Sequence, residues 1–291
     1  MTIQIITNYK NDPHLRESFF ALSELTFGIN FKEWFNLGYW TEAYQCFSIV
    51  EDNKIVANVS ASLLDLVIDY KAYKAIQIGT VMTHPDYRGR GYARQLLEEV
   101  IEHYEQQTDF IYLFANDKVL DFYPKFGFSE RQQSTYKVQA STIAQIPSPL
   151  KKLSMDSEKD RQLLFDFAKN RVPISQAFGT QNSAGLLMFY AIVVLRNVIY
   201  YDQNNEVIYI VKEQDRVMTV YDILTKQPHP LTALLATINS ESLQQFDLYF
   251  TPDHDIPSEK GVNLDDGTLF VKCRDGVVFP HRLCHPFTSI A

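Results

Sequence analysis

Cysteine is scarce: Cys46, Cys273 and Cys284 are the three in 291 residues, an odd number, widely separated along the chain. They offer no disulfide framework, and no Cys/His cluster has zinc spacing, so reduced thiols in a cytoplasmic protein are expected. Long apolar runs are missing too. Met1 to Tyr9 has no basic start followed by an apolar run of signal-peptide length. The longest apolar stretch, around Ala191 to Leu195, is far too short to span a bilayer. Neither secretion nor membrane insertion is therefore expected. Positive charge is also in deficit. With 27 basic against 35 acidic side chains and a formal net charge of -8, the chain has no basic excess for gripping a phosphate backbone, which argues against nucleic acid as a partner. The acidic balance leans toward a cationic acceptor instead.

What is present is ordinary globular material. The length is about twice that of a usual domain, so two domains of roughly 140 residues are expected. Hydrophobic residues make up 46% of the chain, with Tyr (17) and Phe (20) abundant, enough for a sizeable core without staples.

Ile3 to Thr7 reads as a short first strand. Asp12-Pro13 is an N-cap followed by proline at the first helical position, and Leu15, Phe19 and Leu22 recur at helical spacing. A second, aromatic helix is expected from Phe31 to Leu37, stopping at Gly38. Cys46 to Val50 and Ile55 to Leu64 are strand-like and joined by the turn-forming Glu51-Asp52-Asn53-Lys54, so they predict a hairpin. Ala75 to Thr83 follows a polar turn near Asp69, and the short connections predict antiparallel order. From Arg90 to Tyr104 the period changes: Ala93, Leu96, Leu97, Val100, Ile101 and Tyr104 share one helical face, and Glu98, Glu99, Glu102 and Glu105 the other. Phe110 to Ala115 is then a strand, Val119 to Lys125 a short helix, and Thr135 to Val138 a closing strand.

The Pro147- and Pro149-containing stretch from Ser141 marks a domain boundary, giving units 1-143 and 150-291. In the second unit the expected order is a helix over Glu158 to Lys169, an apolar segment over Leu186 to Leu195, and strands at Val198 to Tyr201, Val207 to Lys212 and Val217 to Leu224. A helix at Leu231 to Ile238 and a strand at Phe246 to Phe250 follow. The fold class is α+β, with a mostly antiparallel mixed sheet in each unit, and the second repeats the element order of the first without sequence identity.

Chemistry concentrates in Val81-Met82-Thr83-His84-Pro85-Asp86-Tyr87-Arg88-Gly89-Arg90-Gly91-Tyr92-Ala93-Arg94. A strand, a proline turn and two glycines run directly into the amphipathic helix, so unpaired backbone N–H groups gather at its positive end and suit an anion. Gly89 and Gly91 let a diphosphate approach the backbone, while Arg88, Arg90 and Arg94 add charge. A bare Gly-x-Gly turn is also compatible with a tight loop of no binding role. Dinucleotide and P-loop readings fail on detail: there is no third glycine at Rossmann spacing, no Gly-Lys-Ser/Thr, and the preceding strands read as antiparallel.

Arg88-x-x-Gly91-x-Ala93, with its His-Pro-Asp-Tyr-Arg-Gly lead-in, resembles the Q/R-x-x-G-x-G/A signature of the GNAT N-acetyltransferases. Asn116 followed by Phe122-Tyr123-Pro124-Lys125-Phe126-Gly127-Phe128 resembles that family's second motif. The resemblance covers about residues 1 to 140. It implies acetyl-CoA as co-substrate, with no metal, and a primary amine of a small molecule or peptide as acceptor. It further implies that the backbone of Val81, Met82 and Thr83 holds the acetyl carbonyl and pantetheine arm. Gly89, Arg90, Gly91, Tyr92, Ala93 and Arg94 would wrap the pyrophosphate, Asn116 would hydrogen-bond the cofactor, and Tyr123 would protonate the departing thiolate. Such chemistry needs a neutral nucleophile, a donor to the developing oxyanion and an acid for sulfur. Core packing beside Phe122 and Phe126 is the competing role for Tyr123.

The general base is not legible. Ile111 to Ala115 carries no carboxylate, although some members of the family have a glutamate there. Asp65, Asp69 and His84 are candidates that are equally ordinary as solvated turn residues, and water can take the amine's proton instead. Phe27, Phe31, Trp34, Phe35, Tyr39 and Trp40 fall where the family's acceptor site usually lies, as acceptor wall or as helix-to-core packing.

In the second unit Leu224-Thr225-Lys226-Gln227-Pro228-His229-Pro230 holds the place of the glycine turn, with two prolines that lack N–H donors. This half is therefore not expected to bind acetyl-CoA and resembles the degenerate second domain of tandem acetyltransferases, including the enhanced-intracellular-survival group. A C-terminal carboxylate base is not carried over from that group. His281, Cys284 and His285 lack a fourth metal ligand nearby, which favours surface or packing roles. The rival function is a non-catalytic acetyl-CoA sensor or protein-interaction module. The acyl chain length stays undetermined, and a homodimer stays open.

Overall fold

The computed structural model describes residues 4–253, 256, 258–262 and 267–291. Ile3, expected to open the first strand, lies outside the described residues. The strand itself, β1, is Ile5–Thr7. Helix α1 (Pro13–Phe27) starts as its sequence dictates: the Asp12 carboxylate accepts from the main-chain N–H of His14 at 2.9 Å and Leu15 at 3.1 Å, and Pro13 needs no partner. The short α2 spans Lys32–Asn36. Then come β2 (Tyr44–Glu51), β3 (Lys54–Ile68), β4 (Lys71–Thr83), α3 (Tyr92–Tyr104), β5 (Phe110–Ala115) and β6 (Ser129–Gln139). The β3–β4 connection is a tight two-residue turn, Asp69 and Tyr70 both having positive φ. The expected helix over Val119 to Lys125 is two 3-10 turns, Asp117–Val119 and Tyr123–Phe126, because Pro124 cannot continue an α-helix.

The remainder comprises β7 (Leu150–Lys152), α4 (Glu158–Asn170), β8 (Phe178–Gln181), α5 (Ala184–Val193) and β9 (Ile199–Asp202). It continues through β10 (Val207–Gln214), β11 (Val217–Thr225), α6 (Leu231–Ile238), β12 (Gln245–Leu248), β13 (Glu259–Val262), β14 (Thr268–Cys273) and β15 (Arg282–Leu283). Both halves share a pattern. β2, β3 and β4 are antiparallel, and α3 then returns the chain to β5, parallel to β4. Likewise β9, β10 and β11 are antiparallel, and α6 leads to β12, parallel to β11.

Hydrogen bonding runs across residues 143 to 150. The strand order is β1-β2-β3-β4-β5-β14-β6-β12-β11-β10-β9-β7, so a strand from the end of the chain lies between β5 and β6. β14 is antiparallel to both, Phe270 opposing Leu113 on one side and Glu130 on the other. The largest aromatic core likewise joins Phe19 and Trp34 to Leu164, Phe167, Met188 and Ile208. A second cluster packs Leu96, Leu97 and Val100 of α3 against the first half of the sheet, as the helical periodicity predicts. Among the described residues no helix is long and apolar enough to cross a membrane.

Candidate active site

β4 and β5 are hydrogen-bonded only over Ala75–Ile78 and Phe110–Leu113. Beyond Ile78 they part, and the far side of β4 stays paired to β3 through Asn58–Met82 and Ala57–Thr83. The edge of β4 that faces away from β3 is thus left without a strand partner, and its main-chain groups border a cavity of about 1210 Å³. The register of β3 and β4 shifts between Asn58 and Ser60, and Thr80 opposite has φ +48°. A β-branched residue there is strained, and a part-buried network holds it. Asn58 Nδ2 donates to Thr80 O at 2.9 Å, and Tyr44 Oη shares a hydrogen bond with Thr80 Oγ1 at 2.8 Å. The bulge re-aims the main chain of Val81, Met82 and Thr83, all of which line the cavity.

At the end of β4 the His84 ring accepts from the Asp86 N–H at 3.3 Å and closes a 3-10 turn over Pro85–Tyr87. Gly89 and Gly91 follow with φ +78° and +82°, and a Cβ added to either would meet nothing within 4 Å. α3 begins without a side-chain cap, and its first intrahelical bond runs from Gln95 N to Gly91 O at 3.1 Å. The N–H groups of Tyr92, Ala93 and Arg94 therefore have no helical partner. Arg88, Gly89, Gly91, Tyr92, Ala93 and Arg94 all line the cavity. Lys118 and Lys125 join them there, so cations gather at this end of an otherwise acidic protein.

Arg90 departs from the expected set. Its guanidinium lies over the Tyr87 ring, 4.6 Å from the centroid, and 3.6 Å from Glu51, and its side chain is not part of the cavity wall. Tyr92 donates its hydroxyl to the same Glu51, so the tyrosine ring is fixed while its backbone N–H stays available. Asn116, at the end of β5, lines the cavity on the opposite edge, and its Oδ1 accepts from Lys118 N at 3.0 Å.

Tyr123 is buried yet borders the cavity. Its ring packs against Phe122, Phe128 and Phe270, the last with centroids 5.8 Å apart. Phe270 belongs to β14, so the inserted strand supports this tyrosine, a contact that nothing local in the sequence signals. Burial pushes the phenol's pKa up to about 12, which keeps it protonated at neutral pH.

The three candidate bases do not converge on the cavity. Asp65 binds Lys74 and Asn182, Asp69 sits in the β3–β4 turn, and His84 holds its 3-10 turn; none lines the wall. The aromatic set divides. Phe27, Phe31 and Trp34 line the cavity, whereas Phe35, Tyr39 and Trp40 serve core packing, and Phe31 and Trp34 do both. Further contributors were missed by sequence reasoning. Phe189 and Tyr190 of α5 and the Ile290-Ala291 segment line the same cavity, and a Cβ on Gly79 would come within 2.8 Å of the Ala291 main chain.

Cys46 and Cys284 are buried, Cys273 is half-buried, and none of the three is in a disulfide. His285 is a packing residue. Its Nδ1 donates to Pro286 O at 3.0 Å, Tyr112 Oη donates to its Nε2 at 2.9 Å, and burial lowers its pKa to about 3. In the second half α6 follows Pro228 and Pro230 directly, so two amides that the first half offers at the corresponding turn are absent.

No curated protein matches the chain. Among solved structures it is similar to a conserved protein of unknown function from Enterococcus faecalis, with 17% identity and TM-score 0.63 over 94% of this chain and 72% of the other. It is also similar to Eis1 from Mycobacterium abscessus, with 13% identity and TM-score 0.61 over 94% and 74%. A GCN5-related N-acetyltransferase from Kribbella flavida follows, with 14% identity and TM-score 0.56 over 94% and 72%. At these identities the likeness establishes the fold. Residues 13–131 match the family described as acetyltransferase (GNAT) domain. The open β4 edge, the glycine turn and Tyr123 thus all lie within the segment that matches a GNAT acetyltransferase domain.

Proposed function

We propose that the chain is an acetyl-CoA-dependent N-acetyltransferase that moves an acetyl group to a primary amine of a small molecule or peptide by direct attack in a ternary complex. One observation carries this reading: the open edge of β4, the uncapped start of α3 and Tyr123 border a single cavity. Acetyl-CoA supplies the activated acyl group and a thiolate as leaving group. The main chain of Val81, Met82 and Thr83 orients the thioester, and an N–H on that edge donates to the carbonyl oxygen as it gains negative charge. Gly89, Gly91, Tyr92, Ala93 and Arg94, with Arg88, grip the pyrophosphate through amides and charge. Arg90 acts at one remove, orienting the turn through Tyr87 and Glu51. Asn116 reaches the cofactor from the β5 edge. Tyr123, protonated, gives its proton to the departing sulfur. No acidic or histidine side chain among the described residues borders the cavity, so no side chain is assigned as the base for the amine's proton.

Residues 150–291 are read as a degenerate acetyltransferase-like unit that does not bind acetyl-CoA. The repeated order of β9 to β12 with α6 supports this, as do the prolines at its would-be phosphate turn.

The test is Tyr123→Phe, assayed by thiol release from acetyl-CoA and by equilibrium binding. An acid role predicts a fall in kcat of about 100-fold or more, with the acetyl-CoA Kd nearly unchanged. Equal loss of both, or unaltered turnover, would count against it.

A further inference from the structure

Part of the cavity lining is a set of aromatic and aliphatic side chains. Phe27, Ile29, Phe31 and Trp34 come from the α1–α2 region, and Leu186 and Phe189 from α5. Phe31 stacks on Phe189 with centroids 5.2 Å apart, so the wall is continuous between the two halves of the chain. Two polar handles among the lining residues are engaged inside the protein: Trp34 Nε1 donates to Gly185 O at 2.8 Å, and Tyr44 Oη is engaged with Thr80 Oγ1 at 2.8 Å. Among the described residues that line it, none is Asp, Glu or His, whereas Arg88, Arg94, Lys118 and Lys125 line the cofactor end.

Such a wall discriminates among amines. Each additional ammonium of a polycation would be desolvated with no carboxylate side chain to pair it. An aryl or alkyl group gains from the same burial. The acidic balance of the whole chain, which leans toward a cationic acceptor, is not expressed in this cavity. Resting on the acetyltransferase reading, we infer that the acceptor is a primary amine carried on an aromatic or aliphatic group, seated on the Phe27–Phe31–Trp34–Phe189 wall, and not a polyamine or other polycation.

The experiment measures kcat/KM of the full chain with acetyl-CoA and 2-phenylethylamine, hexylamine, spermidine or lysine. The two apolar amines are expected to lead by about 10-fold or more. Phe27 stands 43% exposed at the rim and tolerates change, so Phe27→Asp should cut kcat/KM for 2-phenylethylamine about 10-fold while leaving acetyl-CoA affinity intact. Three results would overturn the inference: spermidine or lysine turned over as well as the apolar amines, no amine accelerating thiol release although acetyl-CoA binds, or rates that climb from acetyl- to octanoyl-CoA regardless of amine apolarity. The last would make the wall a channel for the donor's chain. Failure of wild-type protein to bind acetyl-CoA in a parallel titration would instead sink the underlying acetyltransferase reading.

Discussion

Gly91 and Gly38 form a natural pair for separating backbone strain from ligand contact. Both have φ +82°, and at both an added Cβ would meet nothing within 4 Å. They differ in place: Gly91 precedes α3 and lines the cavity, and Gly38 follows α2 and does not. An alanine in the left-handed region costs about 1–2 kcal/mol wherever it sits, so Gly91→Ala and Gly38→Ala should lose similar stability in urea. Only at Gly91 does the new methyl enter the space where the cofactor's phosphates approach the amides of Tyr92 to Arg94. Losing one charge-assisted N–H contact is worth about 1.5–3 kcal/mol, or roughly 10- to 150-fold in Kd. Isothermal titration of CoA should therefore show a loss of that size for Gly91→Ala and none for Gly38→Ala. Equal effects on affinity, or no effect at Gly91, would refute the argument that this turn exists to admit phosphates.

The buried pair of Arg171, at the end of α4, and Asp222, in β11, anchors the chain terminus. Two hydrogen bonds of 2.6 and 2.9 Å join them, and Thr288 Oγ1 donates to the same carboxylate. Asp222→Ala strands a buried guanidinium, and urea titration should find a loss of about 3–5 kcal/mol, much of it recovered in Asp222→Leu/Arg171→Met. His285 predicts a pH effect. Its imidazole takes up a proton near pH 6.5 when unfolded but only near 3 when folded, so stability is full above about pH 6.5 and is lost as pH falls toward 3. The slope from this group is at most ~1.4 kcal/mol per pH unit, and His285→Gln, which keeps an acceptor for the Tyr112 hydroxyl, should remove it from a denaturation series over that window.

Local features of this fold were legible because local forces make them. The Asp12-Pro13 cap, the two-faced α3 and the strand-turn-strand order of β2 to β4 each follow from patterns contained within a dozen residues. The glycine turn was likewise visible, since only glycine enters left-handed conformations freely. Pairing over long range was not. Thr268 to Cys273 is an unremarkable apolar run, and nothing in it says that it will lie between β5 and β6 and support Tyr123 through Phe270. The same blindness hid α5 and Ile290-Ala291, whose place in the cavity depends on how the halves close over a shared core. The placement of the Arg90 side chain was not legible for a different reason: charge in a motif says nothing of rotamer, and the guanidinium meets Glu51 and Tyr87.

The central claim is that coenzyme A seats its linked phosphates on the start of α3 and its thioester on the free edge of β4. Backbone amide shifts recorded while CoA is titrated into the full chain test it directly. The account predicts saturable shifts at Gly89, Gly91, Tyr92 and Ala93 and at Val81 to Thr83, with Leu231 to Leu234 unmoved. Shifts concentrated at the start of α6, or none anywhere at millimolar CoA, would contradict it.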